Sequence, residues 1–262
     1  MTTRYAAMFE RCAAAGEGVF GAFLMLGDPD LAISAAMLDA LVEGGADMVE
    51  LGIPFSDPVA DGPVIQQAAI RALAAGVRTG HCLNLLAALR ARHPSVPVGI
   101  LTYANIVAAR GIDRFAKELA EAGVDSLLIA DVPTIEAAPY AAAARAAGID
   151  LVMIAAPNTP RTTLAKIAAL SSGYTYCVAR AGITGADEQL SLDHKLLFEA
   201  LDAVGAPPPV LGFGISTADQ VREALASRAA GVISGSAIVA RVSEGADSVR
   251  SFVAAMKAAT RR

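Results

Sequence analysis

Eight times along this chain a short run rich in valine, isoleucine and leucine is followed by a longer alanine-rich stretch with helical spacing, and no other feature constrains the fold as tightly. The runs are VFGAFLML (19–26), DMVELGI (47–53), VPVGILTY (96–103), VDSLLIAD (124–131), DLVMIAA (150–156), GYTYCVA (173–179), PVLGFG (209–214) and GVIS (231–234). They are nearly continuous in apolar residues and show little polar alternation. Parallel strands buried on both faces have this composition, because helices cover the outside and packed side chains fill the inside. The order predicts a single α/β domain over residues 1–262, a (β/α)8 TIM barrel with extra N-terminal and loop helices. The rival is a doubly wound open sheet, and the lack of a GxGxxG after the first run favours closure. Glycines ahead of the runs, in EGGAD, EAGVD, AAGID and SSGYT, read as helix C-caps.

Composition narrows the function classes. With 262 residues, 55% of them hydrophobic and 18% charged, the chain has ample material for one core, so disorder is excluded. A net charge of −5 without a Lys/Arg cluster makes nucleic acid an unsuitable partner. Cys12, Cys82 and Cys177 are odd in number and widely spaced, which supports neither a disulfide framework nor a zinc site. His81, His93 and His194 share no ligand-like spacing and read as solvated side chains, so no metal is expected. No apolar run approaches the ~18 residues of a membrane helix, and the first residues lack a signal-peptide pattern. A cytoplasmic enzyme is the expectation.

Barrel enzymes carry their reacting groups at the C-terminal ends of strands, which directs attention to three segments. In ELGIPFSDPVADGP (50–63), Glu50 interrupts an apolar strand; a carboxylate there loses hydration and shifts towards the pKa range of general acid/base work. The same residue also reads as a structural carboxylate held by an arginine or backbone amides. Asp61, just before Gly62 and Pro63, reads locally as a helix cap, and Asp57 before Pro58 as a loop former. In ARAGITGADEQL (179–190), Gly182 and Gly185 offer hinge freedom and Thr184 a hydroxyl for a neighbouring carboxylate, so a lid and an ordinary surface loop are both open. The turns LGFGIS (211–216) and ISGSAIV (233–239) place small residues where backbone N–H groups can approach an anion, with Ser236 opening a short helix. Tyr176 and Phe23 lie near strand ends, as pocket lining or as core, and Asp131 reads equally as a turn former before Pro133.

These segments together resemble the tryptophan synthase alpha chain family over essentially the whole length: LGDPD, ELGIPFSDPVADGP, YAN, ADVP, GYTY with RAGITG, GFGIS and SGSAIV occur in the family's order and spacing. The resemblance implies cleavage of indole-3-glycerol phosphate to indole and glyceraldehyde 3-phosphate without a cofactor in this chain. It implies Glu50 as the acid/base and Asp61 as the partner of the indole N–H, in place of the cap. It further assigns Phe23 and Tyr176 to the pocket, Gly185, Gly214, Gly235 and Ser236 to the phosphate, and Thr184 to a bond with Asp61 on lid closure. The implied partner is a beta chain carrying pyridoxal phosphate, in an α2β2 assembly that passes indole through a tunnel. Pro54, Asp57, Pro58, Asn105 and Pro133 fall in segments resembling the subunit contacts. Met25, Ala108 and Ala179 depart from the residues usual in the family at those places. Two other readings are a free-standing indole-3-glycerol-phosphate lyase, which would turn over fast alone, and a non-catalytic phosphate-binding regulatory subunit, which would have no need of a desolvated glutamate.

Overall fold

The structure is a computed structural model that describes residues 3–178 and 194–261. The segment 179–190, with Ala179, Thr184 and Gly185, lies outside the described residues. Parallel strands run in the order β5-β4-β3-β2-β1-β9-β8-β7-β6. They are β1 (Val19–Met25), β2 (Met48–Gly52), β3 (Val98–Thr102), β4 (Ser126–Ile129), β5 (Asp150–Leu151), β6 (Met153–Ala155), β7 (Thr175–Val178), β8 (Pro209–Gly212) and β9 (Gly231–Ser234).

The fifth run of the sequence therefore forms two short strands instead of one. Asp150–Leu151 pairs with β4, whereas Met153–Ala155 pairs with β7, so one broken strand serves both ends of the sheet and brings the barrel round. At the break the Met153 amide donates to Ser171 Oγ at 3.2 Å, while the neighbouring Val152 amide still donates to the Leu127 carbonyl at 2.9 Å. The change of partner falls at that step.

Most strands are buried along their whole length, as β1 to β4 and β9 are, which is what nearly continuous apolar sequence requires. Between them lie helices with one apolar face. Beyond the one-helix-per-strand pattern, the described chain adds α1 (Arg4–Ala14) before β1, both α3 (Pro63–Ala74) and α4 (Thr79–Arg92) between β2 and β3, and both α5 (Ala104–Arg110) and α6 (Ile112–Glu121) between β3 and β4. The four-residue α11 (Ser236–Val239) and the long α12 (Ala246–Ala258) follow β9. The glycine C-cap reading is met at Gly148, which ends α7 (Ala138–Ala147) in the left-handed conformation at φ +76°.

Helix α1 covers the N-terminal end of the barrel. Its Arg4 pairs with Asp125 at 2.7 Å and donates to the Pro94 carbonyl, and its Arg11 pairs with the buried Asp47 at 2.9 Å. Asp47 also accepts from the Phe20 amide and from Lys257 of α12, both near 2.9 Å. One buried carboxylate thus ties the first helix, the first strand and the last helix together. Among the described residues no single helix is long and apolar enough to cross a membrane.

Candidate active site

At the opposite, C-terminal end of the strands is a cavity of about 610 Å³. Phe23, Glu50, Asp61, Tyr176, Gly214, Gly235 and Ser236 all line it, so every cavity residue expected from the sequence that lies within the described chain is brought to one place. The sheet explains how. Phe23 of β1 is in register with Glu50 of β2, and Glu50 in turn with Gly99 of β3, which sets these positions in one row around the barrel.

Glu50 is 1% exposed. Burial pushes its carboxyl up to about 7, opposed by a hydrogen bond from Tyr174 and reinforced by the nearby charge of Asp61. The phenol of Tyr174 donates to Oε1 at 2.9 Å, and the equally buried Oε2 has no hydrogen-bond partner among the described residues. Among the described residues no arginine pairs with this carboxylate.

Asp61 caps no helix. Gly62 is the N-cap of α3 and makes no side-chain cap bond; the Asp61 backbone carbonyl accepts from Gln66 at 2.8 Å while its side chain is left for the cavity. Pro63 at the first helical position explains why no cap is needed, since its missing N–H removes one donor. Burial raises the Asp61 carboxyl to about 6, against a hydrogen bond from Tyr103. Tyr103 is itself buried, accepts from the Ala60 amide at 3.3 Å and stacks on Phe55 at 5.2 Å, which locates the loop that carries Asp61.

The other end of the cavity is made of turns. Gly235 is the N-cap of α11, and Ser236 opens that helix, as expected from the sequence. Gly214 has φ +85°, a conformation open to glycine. Beside it Phe213 holds φ +61°, rare for a residue with a Cβ, and its ring meets Tyr176 edge-on at 5.6 Å. A Cβ at Gly212 would stand 2.1 Å from the Tyr176 hydroxyl, so only glycine lets that tyrosine lie across β8. The described lining contains no lysine or arginine, so the turns offer backbone amides and hydroxyls as its donors.

Several lining or supporting residues escaped the sequence reading: Tyr174, Tyr103, Phe213, Leu101, Val64 and Gln220. For Tyr174 a signal existed, because positions two apart on a strand share a face and Tyr176 was already placed in the pocket. Other expectations need correction. His194 is fully buried and stacks on Phe198 at 5.9 Å, and His93 contacts Asp39 at 2.8 Å; only His81 is exposed. Asp131 accepts the Ala104 amide at 2.7 Å and so holds the start of α5 from the neighbouring loop, instead of only shaping its own turn. Of the interface candidates, Asp57, Asn105 and Pro133 are exposed, Pro58 is half-buried and Pro54 is buried. Met25 is buried against the space that Gly52 leaves open, while Ala108 is exposed. Among the described residues no group of three His, Cys, Asp or Glu side chains comes together as a metal site would need.

Fold and cavity together define a (β/α)8-barrel protein with two desolvated carboxylates in a cavity at the C-terminal ends of its strands. The comparisons with known proteins specify which. A family model described as tryptophan synthase alpha chain matches residues 9–262. The chain is 52% identical to the tryptophan synthase alpha chain of Shewanella amazonensis, over 98% of this chain and 99% of that one, and 50% identical to that of Aeromonas hydrophila, over 99% of each. In structure it is similar to tryptophan synthase of Mycobacterium tuberculosis, with a TM-score of 0.91, 33% identity and full coverage of both chains. It is likewise similar to the alpha subunit from Legionella pneumophila, with a TM-score of 0.90, 29% identity and 99% coverage of each. The chain belongs to the tryptophan synthase alpha chain family: it is a carbon–carbon lyase subunit acting on indole-3-glycerol phosphate, with a beta chain as partner.

Proposed function

We propose that Glu50 and Asp61 carry the cleavage. The carbon–carbon bond of the substrate breaks only if the indole ring becomes an electron sink. Glu50 in its acid form gives a proton to C3 of the ring, which leaves positive charge on the ring nitrogen. The Asp61 carboxylate accepts the indole N–H and stabilises that charge. Glu50, now ionised, takes the proton of the glycerol hydroxyl next to the scissile bond; the bond pair returns to the ring, indole is restored and an aldehyde is left. Glu50 ends the cycle protonated, as it began, so the chemistry is proton-neutral and requires no cofactor in this chain.

The observation that supports this reading above all is the pairing of two desolvated carboxylates, at about 7 and about 6, in one cavity with small-residue turns opposite them. A group near neutrality can both give and take a proton at working pH. Phe23 and Tyr176 flank the ring, and the amides at Gly214, Gly235 and Ser236 hold the phosphate.

The beta chain carries the pyridoxal phosphate, receives indole and joins the alpha chain as α2β2 in the cytoplasm. Asp57, Pro58, Asn105 and Pro133 form the docking face, with Pro54 beneath it. The exposed Val59 and Ile135, in the loops after β2 and β4, supply apolar contact area at 72% and 78% exposure. The test is steady-state cleavage of indole-3-glycerol phosphate by the purified chain with and without a cognate beta chain. Slow turnover that rises sharply with the partner is expected; fast turnover alone would favour the free-standing lyase, and ligand binding without cleavage the regulatory subunit.

A further inference from the structure

Glu50 lies opposite Gly99 in the β2–β3 register, and Gly99 lies opposite Ser126 in the next pair. A Cβ at Gly99 would stand 2.8 Å from Ser126 Oγ, 3.1 Å from the Tyr5 hydroxyl and 3.8 Å from the Tyr174 hydroxyl. Three hydroxyl oxygens from three separate parts of the chain therefore converge on the space that this glycine leaves empty, directly beside the strand position of Glu50. Tyr5 and Ser126 share a 2.8 Å hydrogen bond, and the Tyr5 ring tilts against the Tyr174 ring at 5.3 Å. Tyr5, Tyr174 and Ser126 are each about 1% exposed. The backbone of Gly99 has no positive φ, so the strand itself does not ask for glycine.

We propose that Gly99, Ser126 and Tyr5 form a positioning unit that sets Tyr174 on the Glu50 carboxylate, which makes the N-terminal helix a working part of the catalytic end of the barrel. The inference rests on the reading of Glu50 as the acid/base group. Packing alone would be met by any side chains that fill the space. Three hydroxyls are costlier to bury than methyl groups, and here two of them surround Tyr174, the one donor that reaches Glu50 among the described residues. Arg4, beside Tyr5, anchors the helix through Asp125, so the reach of Tyr5 into the barrel is fixed from outside. The titratable groups that face Glu50 are Asp61 from the loop after β2, Tyr174 and Tyr176 from the β7 segment and Tyr5 from α1, with Asp125 and Asp150 acting on Tyr5 from below.

The test uses the full chain with its beta partner and reads kcat and KM for indole-3-glycerol phosphate across pH in Gly99→Ala, Tyr5→Phe, Gly99→Ala/Ser126→Ala and Glu50→Gln. In Gly99→Ala the added methyl crowds the Ser126 and Tyr5 hydroxyls, at 2.8 and 3.1 Å, and the shift of Tyr5 is passed to Tyr174 through their ring contact at 5.3 Å. The Tyr174 bond lowers the Glu50 pKa against burial, so its loss moves the alkaline limb of the kcat profile upward, with kcat down about tenfold for one weakened hydrogen bond and KM unchanged. Truncating Ser126 makes room for the methyl and restores part of the rate. Tyr5→Phe removes the hydroxyl without changing shape and tests the unit even if Gly99→Ala fails to fold. Profiles of Gly99→Ala and Tyr5→Phe that superimpose on the parent, with Glu50→Gln inactive, would overturn the positioning unit alone. Full cleavage by Glu50→Gln would instead remove the reading on which it rests.

Discussion

Tyr174 donates its phenolic hydrogen to Oε1 of Glu50 at 2.9 Å, across 124 positions of sequence, while Oε2 of the same carboxylate is buried with no hydrogen-bond partner among the described residues. The carboxylate is thus held on one side and left available on the other. Desolvation raises its pKa to about 7, and the one donor it has among the described residues opposes that shift without cancelling it.

Replacing Glu50 by glutamine removes both proton transfers and keeps the shape. Cleavage should fall by about 10²–10⁴-fold, the usual contribution of general acid–base catalysis, while a substrate analogue still binds. Single-turnover cleavage and calorimetric titration on the same sample separate the two. Unchanged turnover would remove Glu50 from the mechanism.

The same substitution should stabilise the fold. The Glu50 carboxyl lies near 4.5 when unfolded and about 7 when folded, so the folded chain holds the extra proton between those values and stability declines as pH rises through that window. Glutamine escapes this penalty. Thermal unfolding at pH 8 should show Glu50→Gln more stable by on the order of 2 kcal/mol, with the difference vanishing below pH 4. A gain of equal size at both pH values would point to packing instead.

Cleavage should follow a bell-shaped pH profile. Asp61 must be charged to stabilise the ring cation, so kcat/KM falls as pH drops through about 6; Glu50 must start as an acid, so it falls as pH rises beyond about 7. Because the two carboxylates feel each other, the limbs report the pair. Asp61→Asn should abolish the acidic limb in a kcat/KM titration, and a persisting limb would assign it elsewhere.

Gly212→Ala would drive a methyl into Tyr176, whose hydroxyl and Cζ lie 2.1 and 2.2 Å from that position. The ring must leave its place in the pocket, which should cost about 1–3 kcal/mol of stability and raise KM sharply. In a Tyr176→Ala background the same change should cost almost nothing in denaturant unfolding. Additive losses in the double variant would show that the clash is not with Tyr176.

Asp47 accepts from Arg11, Lys257 and the Phe20 amide with its side chain 2% exposed. Asp47→Ala removes the acceptor of Arg11 and of the buried Phe20 amide and leaves Lys257 to Glu17 alone, which should cost about 1–3 kcal/mol, read as a lowered urea midpoint. A loss below about 0.5 kcal/mol would place the stabilisation of α1 in its apolar face.

Much of this protein was legible from residue order. The strand runs stood out because burial on both faces leaves no room for polar alternation, and seven of the eight became single strands. Run 150–156 broke at Val152 because two neighbours of the closing barrel draw on it from different registers, which no local pattern encodes. Glu50 was visible as a charge inside an apolar strand. Asp61 was not, since an aspartate before Gly-Pro looks like a cap until the helix is seen to begin at Pro63 without one.

What the sequence by itself determined was the alternation of units and the identity of the groups at the strand ends, because these follow from periodicity and residue type. Only tertiary structure decided which groups meet. Tyr5 reaches Ser126 across 121 positions because α1 lies beneath the strands, and Tyr174, just before β7, reaches Glu50 of β2 across 124 because the curling sheet brings two non-neighbouring strands face to face. Distances in space between such residues are set by the closing of the sheet, a property of all the strands together and of no segment alone.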